Sequence, residues 1–227
     1  LYLAYNDNCG QVFGHWYQGQ PPIIEHDRML RILGVKIFSD GGTCELRPAM
    51  SFDLPKDYVL AGRKGDAFLT QEELVTILVE VNDAGYQPAI HAIGDRAIEL
   101  VQNAIEEAFA GMPVRVRMEH NLYIRPDLRQ RYSELNIIPV MFGQIGTCWI
   151  DKVQGGVSTM GELVHPEEGL TTEGRTWVNP IRTLLREFPT LPIAWKSDSP
   201  YLSVRPLDHL YSLVTQRELA GDDYMWA

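Results

Sequence analysis

Between Tyr86 and Ala110 the sequence reads YQPAIHAIGDRAIELVQNAIEEAFA, a short apolar strand that runs through His91 into an amphipathic helix. No other stretch restricts the fold as much. In the strand half, Pro88, Ala89 and Ile90 are apolar at successive positions, the pattern of a strand covered on both faces. In the helical half, Ala97, Ile98, Val101, Ala104, Ile105 and Phe109 recur at three- and four-residue steps with Glu99, Gln102, Asn103 and Glu106 between them, which makes one apolar face. Asp95 is placed to be the N-cap of that helix. A buried strand feeding a crossover helix is the unit of a parallel α/β sheet, and such sheets carry their chemistry at the carboxyl ends of the strands. His91 stands there. It is a candidate site residue, not yet a ligand.

The unit repeats on both sides. Leu1 to Arg31 reads as loop, with a short helix over Glu25–Leu33; His15 and His26 fall in this region and read as surface or packing residues. Gly34 to Gly42 (GVKIFSDGG) is a strand with a lysine in its middle and an acid at its end. Lysine is rarely buried unpaired, so Lys36 either points out of a half-exposed strand or is held inside for its chemistry. Gly42 to Leu69 is too long for a bare connection and reads as a lid-like excursion. Thr70-Gln-Glu-Glu73 has the capping-box pattern, opening a helix with Leu74, Ile77, Leu78 and Val81 on its apolar face and its end near Gly85. Val114 to His120 is a second strand ending in histidine, followed by a short helix over Pro126–Leu135 with Leu128, Tyr132 and Leu135 inward. Asn136–Phe142 is a strand, and the long segment to Val178, with His165, is a second excursion. Asn179-Pro180 opens a helix through Phe188 with Ile181, Leu184 and Leu185 inward. Leu191–Asp198 is the last strand and ends in a carboxylate, and Pro206 starts a helix to about Leu219 in which His209 reads as a packing residue.

Five strands alternating with helices and no hairpin signals predict a parallel sheet. Its carboxyl edge gathers Lys36 and Asp40, His91, His120 and Asp198. Imidazoles and a carboxylate from separate strands suit zinc or another first-row divalent ion. The competing reading is a set of polar caps filling the mouth of a metal-free segment that binds a small ligand or stabilises a partner.

Charge and cysteine content narrow the classes. The formal charge is -10 and the 20 Lys and Arg are scattered, which disfavours nucleic acid and acidic membrane surfaces as partners. No run approaches the roughly 18 apolar residues of a membrane span. Cys9, Cys44 and Cys148 have no CxxC spacing, which argues against a disulfide framework or a cysteine-built zinc site and points to a reducing, cytoplasmic compartment.

GVKIFSDGG, HAIGDRAI, RMEHN and WKSDSP, in that order, resemble the amidohydrolase superfamily, in the branch that includes N-substituted formamide deformylase. The likeness covers about Leu33 to Glu218. It implies an α/β fold, a partial (β/α)8 TIM barrel comprising strands four to eight with their helices, in which His91 and His120 close strands five and six and bind metal. Asp198 closes strand eight as both metal ligand and catalytic base, and Lys36 on strand four is a further ligand, carboxylated where it bridges two ions. This reverses the surface reading of the lysine. The resemblance further implies one or two divalent ions, zinc among them, and a small-molecule substrate whose non-peptide C–N bond, amide or formamide-like, is hydrolysed by metal-activated water. Asp95 and Glu119 take capping or supporting roles, Glu119 because strand alternation turns it away from His120. Arg175 and Trp149 are possible substrate contacts. The His-x-His pair that closes the family's first strand is not present, so residues 1–227 are expected to be the C-terminal portion of an amidohydrolase TIM-barrel catalytic domain, without strands one to three and the β-sandwich domain. An open arc with raw sheet edges should be marginal alone or form a homo-oligomer.

Overall fold

The computed structural model describes residues 1–25, 29–42, 48–53, 64–142, 177, 179–198 and 205–215. Its frame is a parallel sheet of six strands in sequence order: β1 (Tyr2–Ala4), β2 (Gly34–Phe38), β3 (Gln87–Ala92), β4 (Val116–His120), β5 (Ile137–Phe142) and β6 (Ala194–Lys196). Helix α1 (Gln71–Asp83) joins β2 to β3, and α2 (Asp95–Phe109) joins β3 to β4. The short α3 (Pro126–Arg129) and α4 (Arg131–Glu134) lead to β5, α5 (Ile181–Glu187) precedes β6, and α6 (Pro206–Thr215) follows it. Among the described residues no helix is long and apolar enough to cross a membrane.

Alternation along the strands divides the sheet into two chemically different faces. Val35 and Ile37 on β2, Ile90 on β3 and Met118 on β4 are buried in the main core together with Leu74, Ile77 and Leu78 of α1 and Ile98, Val101 and Ile105 of α2. Each such large aliphatic side chain contributes roughly 1.5–3 kcal/mol on leaving water. Helix α1 starts with the expected capping box: Thr70 Oγ1 accepts from Glu73 N at 3.2 Å and Glu73 Oε2 accepts from Thr70 N at 2.8 Å.

Several local expectations are corrected. The N-cap of α2 is Gly94, not Asp95, and the amides of Arg96 and Ala97 donate to the carbonyl of Ala49 at 3.1 and 3.3 Å. A distant carbonyl thus satisfies the orphan donors of the helix start, and it approaches so closely that a Cβ on Gly94 would lie 2.0 Å from it. Asp95 is committed elsewhere, accepting from Ser51 N at 2.8 Å and Arg125 Nη1 at 3.0 Å. No helix forms among the described residues of 25–33; Ile23 and Ile32 instead make an antiparallel bridge with two 3.0 Å hydrogen bonds. The opening segment, read as loop, contributes β1, which pairs in parallel with β2 from Tyr2↔Gly34 to Ala4↔Lys36. The helix over 126–135 is two short pieces with Leu128 and Tyr132 buried, and Leu185 of α5 faces outward at 53% exposure. His26, Trp149, His165 and Arg175 lie outside the described residues.

Candidate metal centre

Register decides which side chains share the inner face. Lys36 pairs with Ala89 and Ala89 with Arg117; one step on, Phe38 pairs with His91, His91 with Glu119, and Glu119 with Val140. Phe142 of β5 pairs with Lys196 of β6 in the same parity. Register partners in a parallel sheet project to the same side, so Lys36, His91, Glu119 and Lys196 belong to one face. His120, one residue beyond Glu119, should then point into the helical layer. It does not, because its φ is 77°. Its ring lies 4.3 Å from that of His91 and 4.7 Å from that of Phe142, centroid to centroid.

The turn that brings His120 round is built by its neighbour. Asn121 also has positive φ, at 53°, and its Nδ2 donates to the carbonyls of Met118 (2.5 Å) and Val140 (3.4 Å). Its Oδ1 accepts from the buried hydroxyl of Tyr132 at 2.8 Å, and its backbone N–H donates to Ala92 O at 3.0 Å. Asparagine tolerates left-handed backbone and can satisfy it locally. His91 is fixed from the side of β2. Ser39 donates to the His91 carbonyl from both N (3.1 Å) and Oγ (2.5 Å). Asp40 is fully buried and accepts from three amides, Ile93 N, Gly94 N and Ala49 N, at 2.9–3.0 Å. Its Oδ1 is 3.5 Å from His91 Nε2. Burial pushes the Asp40 carboxyl up to about 7 against the pull of those amides.

Burial governs the ionisation of the rest. Both imidazoles are held well below the usual histidine range, His91 by burial and then by the charges of Lys36 and Lys196, and His120 by burial, then by His91 and the two lysines. Burial, reinforced by Lys196, lowers Lys36 to about 7. Burial would raise Glu119, but Lys196, Lys36 and Arg117 outweigh it and hold the carboxylate below its ordinary value. Arg117 Nε donates to Glu119 Oε1 at 2.9 Å. Glu119 is therefore part of the inner face, a correction to the alternation argument that set it apart from His120.

Lys196 stands at the centre of the described groups. Its Nζ is 3.2 Å from His120 Nε2, 3.1 Å from Glu119 Oε2 and 3.3 Å from Asp198 Oδ1. Asp198, with φ at 56°, has left the strand and reaches the cluster through this contact. The sequence reading passed over Lys196, although it lies two positions before Asp198 on a strand whose inner parity the register fixes. His209 is buried and stacks on Trp195 at 5.9 Å, the expected packing role, and His15 pairs with Glu80 at 2.7 Å.

Among the described residues no group of three or more His, Cys, Asp or Glu is arranged to hold a metal ion. The donor set nevertheless fits one in kind. Both ring nitrogens of His91, Nδ1 of His120 and Nζ of Lys36 are buried without a hydrogen-bond partner. Buried polar atoms are normally satisfied, and neutral imidazole is the form that binds zinc; the lone pair of His91 is uncommitted, while that of His120 Nε2 faces Lys196.

The family model of the amidohydrolase family matches residues 12–227, and the chain belongs to that family. Its fold is similar to the crystal structure of an uncharacterized metal-dependent hydrolase from Pyrococcus furiosus, with a TM-score of 0.65 and 23% identity over 85% of this chain and 36% of that one. A second uncharacterized metal-dependent hydrolase, from Pyrococcus horikoshii OT3, gives a TM-score of 0.66 at 23% identity over 86% of this chain and 35% of that one. Protein LONG AFTER FAR-RED 3 of Arabidopsis thaliana is 30% identical over 111 residues, 46% of this chain and 18% of that protein. The chain thus spans about a third of the length of the two hydrolases. The six parallel strands among its described residues and their helices form part of a (β/α)8 barrel.

Proposed function

We propose that the chain carries the metal-binding and catalytic arc of a hydrolase that cleaves a non-peptide C–N bond, amide or formamide-like, in a small molecule. The observation that carries this reading is the pair of buried, neutral imidazoles, His91 and His120, side by side at the carboxyl edge of a parallel sheet, with both ring nitrogens of His91 lacking a hydrogen-bond partner. His91, His120 and Asp198 would hold one divalent ion such as zinc, and Lys36, carboxylated, would join them where two are bound. When bound, such an ion polarises a substrate carbonyl and acidifies water. Lys36 can be neutral near pH 7, as an amine must be to add carbon dioxide. Asp198 takes the proton of the attacking water and returns it to the departing nitrogen as the C–N bond breaks. Phe38 and Phe142 flank the two imidazoles and keep bulk water off them. With β2 as barrel strand four, β1 takes the place of strand three.

The test is metal analysis of the purified chain, with hydrolysis of a panel of N-formyl and N-acyl amines measured before and after chelation. Bound zinc together with chelator-sensitive release of amine supports the reading; a chain that takes up no divalent ion and hydrolyses nothing overturns it. That second result would favour the metal-free ligand-binding segment, for which the ammonium of Lys196 amid the other groups is the supporting observation.

A further inference from the structure

Resting on the metal-dependent reading, we infer that Lys196 is the resident cation of the metal-free site: its ammonium sits where His120, Glu119 and Asp198 meet, and a divalent ion must drive it out to reach His120 and Asp198. One nitrogen contacts an imidazole nitrogen and two carboxylate oxygens at 3.1–3.3 Å. An ammonium has three donors and no acceptor, one for each of these atoms. The arrangement copies what a metal does, a single positive centre drawing lone pairs from β4 and from the end of β6.

Competition follows from the atoms involved. The lone pair on His120 Nε2 can accept from Lys196 or bind a metal, but not both. An ammonium left in place about 4 Å from a divalent ion would also repel it strongly in a medium poorer than water. The Lys196 side chain is 21% exposed, so the ammonium borders solvent, and the face of Phe142 lies 5.6 Å from Nζ, within cation–π range. Glu119 keeps a partner after the exchange, because Arg117 holds its other oxygen. Lys196 therefore plays two opposing parts. It gathers the ligands before the metal arrives and lowers the metal's apparent affinity.

The experiment compares the full chain with Lys196→Met and Lys196→Gln, both neutral, and with Lys196→Arg, which keeps the charge. Zinc affinity is measured by competition with a chelator of known affinity, and thermal denaturation is followed on each metal-free protein. The neutral variants should bind zinc about tenfold or more tighter than wild type, while their metal-free forms melt at lower temperature. Lys196→Arg should stay near wild type in both. Equal or weaker zinc binding by the neutral variants, beside measurable binding by wild type, overturns the inference and leaves the metal site standing. Zinc bound by none of the proteins overturns the metal-dependent reading and this inference with it.

Discussion

The rings of His91 and His120 lie 4.3 Å apart at an interplanar angle of 59°, although the alternation of β4 would send His120 to the other face of the sheet. If the two imidazoles are ligands to one metal, removing either should matter equally. His91→Ala and His120→Ala are each expected to lower zinc affinity by more than the roughly 10–100-fold seen when a residue merely supporting a ligand is lost. Metal content after dialysis against buffer gives the readout. Full retention by both variants would take the histidines out of the ligand set.

Lys36 makes a pH-dependent prediction for the metal-free chain. Its amine titrates at about 7 when folded against an ordinary 10.5 when unfolded. Below pH 7 both states carry the proton, and the fold bears the whole burden of a buried ammonium. Between the two values only the unfolded state is protonated, so stability rises with pH until the burden is gone near 10.5. Lys36→Met should accordingly stabilise the chain by on the order of a few kcal/mol at about pH 6, and by much less at about pH 9.5. Urea denaturation at the two pH values measures the difference; an equal gain at both would mean that Lys36 does not titrate in this interval.

Asp40 ties the end of β2 to the start of α2 and to the segment at Ala49. Asp40→Ala leaves the amides of Ala49, Ile93 and Gly94 without their acceptor. An unsatisfied buried amide costs about 1–3 kcal/mol, so a combined loss of about 3 kcal/mol or more is expected, and a smaller one for Asp40→Asn, which keeps one oxygen. The denaturation midpoint reports it. A change under about 1 kcal/mol would show that the amides find other partners.

The strand and helix units were legible because their signals are long and periodic. Thr70 to Asp83 and Asp95 to Phe109 carry the apolar faces read from the sequence, though Gln102, read as a polar spacer, is buried with its Nε2 donating to Leu128 O at 3.0 Å. β1 was not legible: three half-buried residues at the edge of a sheet have no periodicity to read. Asp95 misled for a different reason. An acid at a helix start is a good cap in isolation, but here the carbonyl of Ala49 takes the amides and leaves Asp95 to Ser51 and Arg125. In the site, the strand-end positions of His91 and His120 could be read from the chain, whereas the place of Glu119 could not. Register with His91 sets Glu119 inward, and what brings His120 in beside it is positive φ at His120 and Asn121, with a hydrogen bond from Tyr132 that only the folded chain brings to Asn121.

The left-handed step at His120 has a consequence for the reach of a single strand. A regular strand offers one side chain to a given face every second residue, so an acid and an imidazole bound for the same spot must be separated or come from different strands. Here Glu119 and His120 are consecutive, and both come within 3.2 Å of one nitrogen. Breaking the pleat at its last residue doubles the density of functional groups that β4 delivers, and it does so at the rim, where no further residue of β4 is left to lose its pairing.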